Sequence, residues 1–146
     1  MFTILFRCDG GPTIGMGHVT RCLALAEELS RNHRCRVEFA VVHGQQATEM
    51  IADAGYYVHQ APEDYVAADE TNWLKAVVTW CGARVVVCDV RAGLDLSGLR
   101  SLRRMGTGVV VLDDPSERRL AADLAFYPPT TQLQRMDWCG LSGRAY

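Results

Sequence analysis

The chain is predicted to fold as an α/β domain with a doubly wound, mainly parallel, Rossmann-like sheet carrying helices on both faces. Three observations lead there. Short apolar runs alternate with segments of helical periodicity along most of the 146 residues. Three of those runs end in aspartate, at Asp9, Asp89 and Asp113. The first run passes directly into a glycine-rich turn and then a helix. Strand-helix alternation of this kind implies parallel strands joined by right-handed crossovers. Ligands of such sheets bind outside the carboxyl ends of the strands, near the point where strand order reverses.

Phe2 to Cys8 is an apolar run bounded by glycines, as expected of a strand buried on both faces. Val19, Cys22, Leu23, Ala26 and Leu29 then recur at i, i+3, i+4, i+7 spacing, which predicts an amphipathic helix over Gly17 to Arg31. Val37 to Val42 reads as a second strand, followed by a helix from Gln45 to Ala54 that Gly55 can terminate. Tyr56 to His59 reads as a third strand, and Ala61 to Ala68 as a loop. A helix follows from Asp69 to Cys81, its acidic start suited to a helix N-terminus.

Arg84 to Cys88 and Gly108 to Leu112 are two more valine-rich strands, joined by a crossover helix over Leu96 to Met105 whose Arg100, Arg103 and Arg104 are expected in solvent. Leu124 to Tyr127 reads as a sixth strand. Residues 1–128 are therefore expected to form the Rossmann-like domain, with residues 129–146 as a tail or the start of an interdomain linker.

Composition narrows the function classes. Fifteen basic and 17 acidic side chains leave a net charge of −2, and the arginines are scattered, so no field attracts nucleic acid or an anionic membrane. No apolar segment approaches the roughly 20 residues that span a bilayer, and a cytoplasmic location is expected. The cysteines, Cys8, Cys22, Cys35, Cys81, Cys88 and Cys139, form no CxxC pair. They read as free thiols in apolar runs, and no metal or other cofactor is expected.

The chemistry concentrates between Arg7 and Leu29. Four glycines in eight positions (Gly10, Gly11, Gly15, Gly17) mark backbone that turns tightly, approaches a ligand or takes positive φ. A dinucleotide fingerprint fails because Gly15-Met16-Gly17-His18-Val19-Thr20 lacks the third glycine, and a Walker loop fails because no Lys-Ser or Lys-Thr follows. What remains is a helix N-terminus opening beside His18, with Gly15 and Gly17 available to contact substrate. The positive end of the helix dipole disfavours an imidazolium there, which suits His18 to the role of general base. Asp9 is positioned to orient the imidazole or a water. Arg21 either pairs with Asp9 or reaches substrate, and a purely structural Asp9–Arg21 ion pair is the alternative. Asp89, Asp113 and Asp114, at or just beyond strand ends, are candidate substrate-binding residues.

Arg7-Cys8-Asp9-Gly10, Ile14-Gly15-Met16-Gly17-His18 and Arg21-Cys22-Leu23-Ala24-Leu25-Ala26 together resemble the N-terminal signature of the UDP-sugar hydrolases of pseudaminic acid biosynthesis and the related spore-coat polysaccharide (SpsG-like) proteins. A weaker likeness continues through Asp69-Glu70-Thr71, Asp89 and Val111-Leu112-Asp113-Asp114 with Arg118 and Asp123. The resemblance implies one half of a GT-B glycosyltransferase-like architecture. It also implies a nucleotide-sugar substrate, and attack of water on the anomeric carbon with His18 as the base. A GT-B-type glycosyltransferase half and a non-enzymatic sugar-nucleotide or protein-binding module are the alternatives. The resemblance further implies that a second Rossmann-like domain, or a partner chain, supplies the other wall of the cleft, with a homodimer as another arrangement. The chain departs from the family pattern after the fourth strand, where Asp89-Val90-Arg91 stands in place of an aspartate followed shortly by a tyrosine.

Overall fold

A computed structural model describes all residues 1–146. Its elements follow in chain order: β1 (Thr3–Cys8), α1 (Gly17–Asn32), β2 (Arg36–Val41), α2 (Gln45–Asp53), β3 (Tyr57–Gln60), α3 (Glu70–Cys81), β4 (Ala83–Asp89), α4 (Leu96–Arg104), β5 (Gly108–Leu112), β6 (Leu124–Phe126) and β7 (Arg144–Ala145). Short 3-10 turns occupy Ala67–Asp69, Glu117–Ala121 and Thr131–Arg135. Every strand pairing is parallel, in the order β3-β2-β1-β4-β5-β6-β7. The chain thus winds outward from β1 to β3, crosses back, and winds the other way from β4. The reversal places β1 beside β4, and their carboxyl ends flank the switch point.

Side-chain alternation along the strands divides the core into two layers. On one face Ile4, Phe6, Val37, Phe39 and Val41 meet Val19, Cys22 and Ala26 of α1 and Ala47 and Ile51 of α2. On the other, Leu5, Ala40, Val86, Val109 and Val111 meet Leu74, Val77 and Val78 of α3 and Leu99 and Leu102 of α4. Cys8, Cys22, Cys35 and Cys88 are buried within these layers, Cys81 is half-buried and Cys139 exposed, and none forms a disulfide. No helix is long and apolar enough to cross a membrane.

The expected elements are present, with ends displaced by at most one residue. Two differences are larger. Residues 129–146, expected as a tail or linker, contain a 3-10 turn and close with β7 against β6. Arg119 anchors this stretch, donating to the Ser116 carbonyl at 2.7 Å and to the Asp137 carbonyl, with its guanidinium over the Trp138 ring. Arg103, expected in solvent, bends back to Asp123 at 2.7 Å. Asp123 in turn accepts the Val109 N–H at 2.8 Å, which ties α4 to the start of β5.

Phe39 is fully buried and stacked on Phe6 with ring centroids 5.3 Å apart, at the centre of the α1 and α2 layer. Phe39→Ala is expected to cost about 3–5 kcal/mol of unfolding free energy in a urea melt. Leu25→Ala, on the exposed side of α1, is expected to cost only about 0.5 kcal/mol.

Candidate functional site

The polar cluster sits where β1, β4 and the start of α1 converge. After β1 the chain makes a tight loop closed by reciprocal Gly11 and Gly15 backbone hydrogen bonds of 3.2 and 2.7 Å. Glycine is required at two places in it for different reasons. Gly15 has φ +81°, and a Cβ on Gly10 would lie 2.8 Å from Val19 Cγ2. The loop delivers the chain into α1, so that His18 occupies the first turn and Arg21 the next.

His18 Nδ1 lies 2.7 Å from Asp89 Oδ1. Arg21 clamps the same carboxylate from Nε to Oδ2 at 2.8 Å and from Nη2 to Oδ1 at 2.6 Å. Asp89 is 1% exposed, His18 13% and Arg21 38%, so a buried acceptor holds two side chains that reach outward. A carboxylate can only accept hydrogen bonds, so Nδ1 carries the hydrogen, and in the neutral ring Nε2 keeps its lone pair. Orientation of the imidazole therefore falls to Asp89 and not to Asp9, and Arg21 pairs with Asp89 and not with Asp9. The reason lies in sheet order: β1 and β4 are neighbours, and the first turn of α1 lies over the end of β4.

Asp9 belongs to a second network beneath the cleft. Its Oδ1 accepts the Val42 and His43 N–H groups at 2.8 and 2.9 Å, and its Oδ2 accepts Arg7 Nη2 at 2.8 Å. Arg7, 1% exposed, also donates from Nε to Glu70 Oε1 at 2.8 Å, while the Tyr65 hydroxyl donates to Glu70 Oε2 at 2.8 Å. Burial alone would raise the Asp9 carboxyl, but the hydrogen bond and charge of Arg7, with the two backbone donors, hold it below its ordinary 3.8. Burial, then Glu70, pushes the Tyr65 hydroxyl up and keeps it a donor. Gly93 closes the network from the β4–α4 loop: its φ is +93°, and a Cβ there would lie 2.0 Å from Glu70 Oε2.

Together these groups line a cleft of about 190 Å³ to which Arg7, Asp9, His18, Tyr65, Glu70 and Asp89 all contribute. Ile14, His43 and Arg91 stand at its wall. Gly15 and Gly17 frame the loop without lining the cleft. Asp113, with φ +50°, projects its carboxylate between Arg91 Nη2 at 3.0 Å and Arg21 Nη1 at 3.8 Å, at the edge of the cleft. Asp114 lies outside it, bonded to Ser116 Oγ at 2.6 Å and to the buried Arg118 at 2.7 Å, which in turn donates to the Val90 and Leu94 carbonyls. Three contributors escaped the sequence reading. Arg7 lay inside an apolar run, Tyr65 in a segment read as loop, and Glu70 at a helix start where a solvent-exposed acid is ordinary. The one signal was Arg7 itself, a charge within a strand expected to be buried on both faces and so in need of a buried counter-charge.

The fold is that of a Rossmann-like α/β domain of the kind that forms half of a GT-B architecture. It is similar to the crystal structure of MurG from Acinetobacter baumannii, with a TM-score of 0.66 and 13% sequence identity. The match covers 89% of this chain and 42% of that one, so the chain spans less than half the length of MurG. At that identity the likeness is one of fold. No protein family profile and no curated protein matches the sequence.

The lowered Asp9 carboxyl gives a pH signature. A group whose pKa is depressed on folding contributes stability that is present above its unfolded value, about 3.9, and is lost as pH falls through the lower folded value. Asp9→Asn lacks this contribution. The difference in urea midpoint between wild type and Asp9→Asn is expected to be constant from about pH 7 to pH 5 and to shrink below about pH 4. A difference that persists unchanged in acid would contradict the assignment.

Proposed function

We propose that this chain is the base-bearing half of a nucleotide-sugar-dependent glycosyl-transferring enzyme. The observation that carries the proposal is the His18–Asp89–Arg21 cluster at the switch point, with Nε2 of His18 unengaged by any protein group. In the reaction, the attacking hydroxyl gives its proton to Nε2 as its oxygen bonds to the anomeric carbon. The bond from that carbon to the phosphate oxygen breaks, and the nucleoside diphosphate leaves with the electron pair. Asp89 stabilises the imidazolium that forms and holds the ring in place, as the carboxylate of a catalytic triad does. Arg21, bound to both oxygens of Asp89, fixes the carboxylate's rotamer.

Support for the sugar-nucleotide substrate comes from the GT-B-like half-fold and from the glycine loop leading into α1. A second reading keeps the same base but makes water the nucleophile, giving a UDP-sugar hydrolase of cell-surface polysaccharide or nonulosonic acid biosynthesis. The specific observation in its favour is the run from Arg7 to Ala26, which resembles the signature of those hydrolases. In both readings the nucleotide is held largely by a second wall, provided by another domain or another chain, and this half supplies the base.

The test is UDP release from UDP-N-acetylhexosamines by the intact protein, with and without an added acceptor sugar. His18→Ala is expected to reduce turnover about 100-fold or more, the range of a positioned general base. Full activity in His18→Ala would refute the base assignment. Release that requires the acceptor identifies transfer, whereas release with free sugar and no acceptor identifies hydrolysis.

A further inference from the structure

Outside the cleft, three side chains of metal-binding type converge on the α3 face of the outer strands. Glu38 comes from β2, His59 from the adjacent β3, and Cys81 is the last residue of α3. Their ligand atoms all lie within 4.8 Å of one another. From this geometry we propose that Glu38, His59 and Cys81 form a Zn²⁺ site that pins the edge of the sheet to α3.

The donor set suits the ion. Zinc takes imidazole nitrogen, thiolate and carboxylate oxygen in tetrahedral sites, with bonds of roughly 2.0–2.3 Å. Three such ligands stand about 3.3–3.8 Å apart, so the present spacing needs only small side-chain movements. One carboxylate and one thiolate neutralise the dication; on binding the thiol proton is released to solvent, and the His59 hydrogen, held at Nε2 by the Glu38 carboxylate in the metal-free protein, moves to Nδ1 so that a neutral imidazole ligates through Nε2. Cys81 is half-buried, so an ion can reach its thiol from solvent.

A second observation comes from Glu38. It is 1% exposed, deep in a sheet where an acid is costly unless both of its oxygens meet cationic or donor groups. Its Oε2 lies 2.7 Å from His59 Nε2. Arg36 Nη2 approaches Oε1 at 2.6 Å as an ion pair, from a side chain 62% exposed. Oε2 is thus the oxygen turned toward the site, and Arg36 can hold the other without obstructing the ion, as outer-layer partners of ligating carboxylates do. Tyr57 and Trp80 pack edge-on against the His59 ring at 4.8 and 5.1 Å between centroids, fixing its orientation. The ligands are separated by 21 and 22 residues, so no short-spaced motif announces the site in the sequence.

The test uses the intact, thiol-reduced protein after chelator treatment, with Zn²⁺ or Co²⁺ added alone. One Zn²⁺ per chain is expected by calorimetry. Co²⁺ is expected to give tetrahedral d–d bands and a sulfur-to-metal charge-transfer band. Cys81→Ser is expected to abolish the charge-transfer band while Cys139→Ser retains it, and Glu38→Gln and His59→Ala are each expected to weaken Zn²⁺ at least about 10-fold. Folding of each variant is checked by circular dichroism. The wild-type spectrum decides even if a variant unfolds: no charge-transfer band there overturns the proposal, as does a band that survives in folded Cys81→Ser.

Discussion

The carboxylate of Asp89 is the point on which the arrangement of the cleft depends. It closes β4 at the switch point, is almost wholly buried, and is shared by His18 and Arg21 from the first two turns of α1. A buried, ionised carboxylate is costly unless its lone pairs are filled by good donors. Here the Arg21 guanidinium supplies two hydrogen bonds and the imidazole a third. Satisfying Asp89 therefore fixes the position of the helix start, the rotamer of Arg21 and the tautomer of His18 together. Removing Arg21 would leave His18 facing a less constrained carboxylate, although Arg21 itself need not touch substrate.

A second buried charge, Arg7, shapes the floor of the same cleft. It reaches the α3 face from the end of β1 and divides its donors between Asp9 and Glu70. Asp9 then extends the network to the backbone after β2, and Glu70 extends it to Tyr65 and, by close contact, to Gly93. Segments following β1 and β2 are thus tied to the start of α3 by polar contacts, and the segment following β4 packs against it at Gly93. Loops at the carboxyl end of a sheet are usually its least constrained parts, and these are instead held by charges that have few other partners. Such a floor lines the cleft beside His18 and Asp89 without occupying Nε2.

Much of the fold was legible because it rests on local periodicity. Valine runs at Arg84–Cys88 and Gly108–Leu112, and the 3.6-residue pattern from Val19 to Leu29, each specify their element without knowledge of the rest. His18 and the aspartates at strand ends were legible for a related reason, since parallel sheets gather strand ends on one side. The pairings among them were not. Asp9 is twelve residues from Arg21 and looked like its partner, yet Arg21 bonds Asp89, 68 residues away. That choice is made by the order of strands in the sheet, which no local pattern encodes. Glu70 and Tyr65 were obscured in the same way, and so was the convergence of Glu38, His59 and Cys81 from three separate elements. The final strand β7, two residues long, is too short to carry an alternation.

The central claim is that Asp89 holds His18 in the tautomer that leaves Nε2 free to accept a proton. Nitrogen-15 NMR of the His18 imidazole, at a pH where the ring is neutral, reads that tautomer directly. The expected spectrum shows Nδ1 protonated and Nε2 unprotonated in the wild type, with the preference lost in Asp89→Ala. A wild-type His18 carrying its hydrogen on Nε2 would contradict the account.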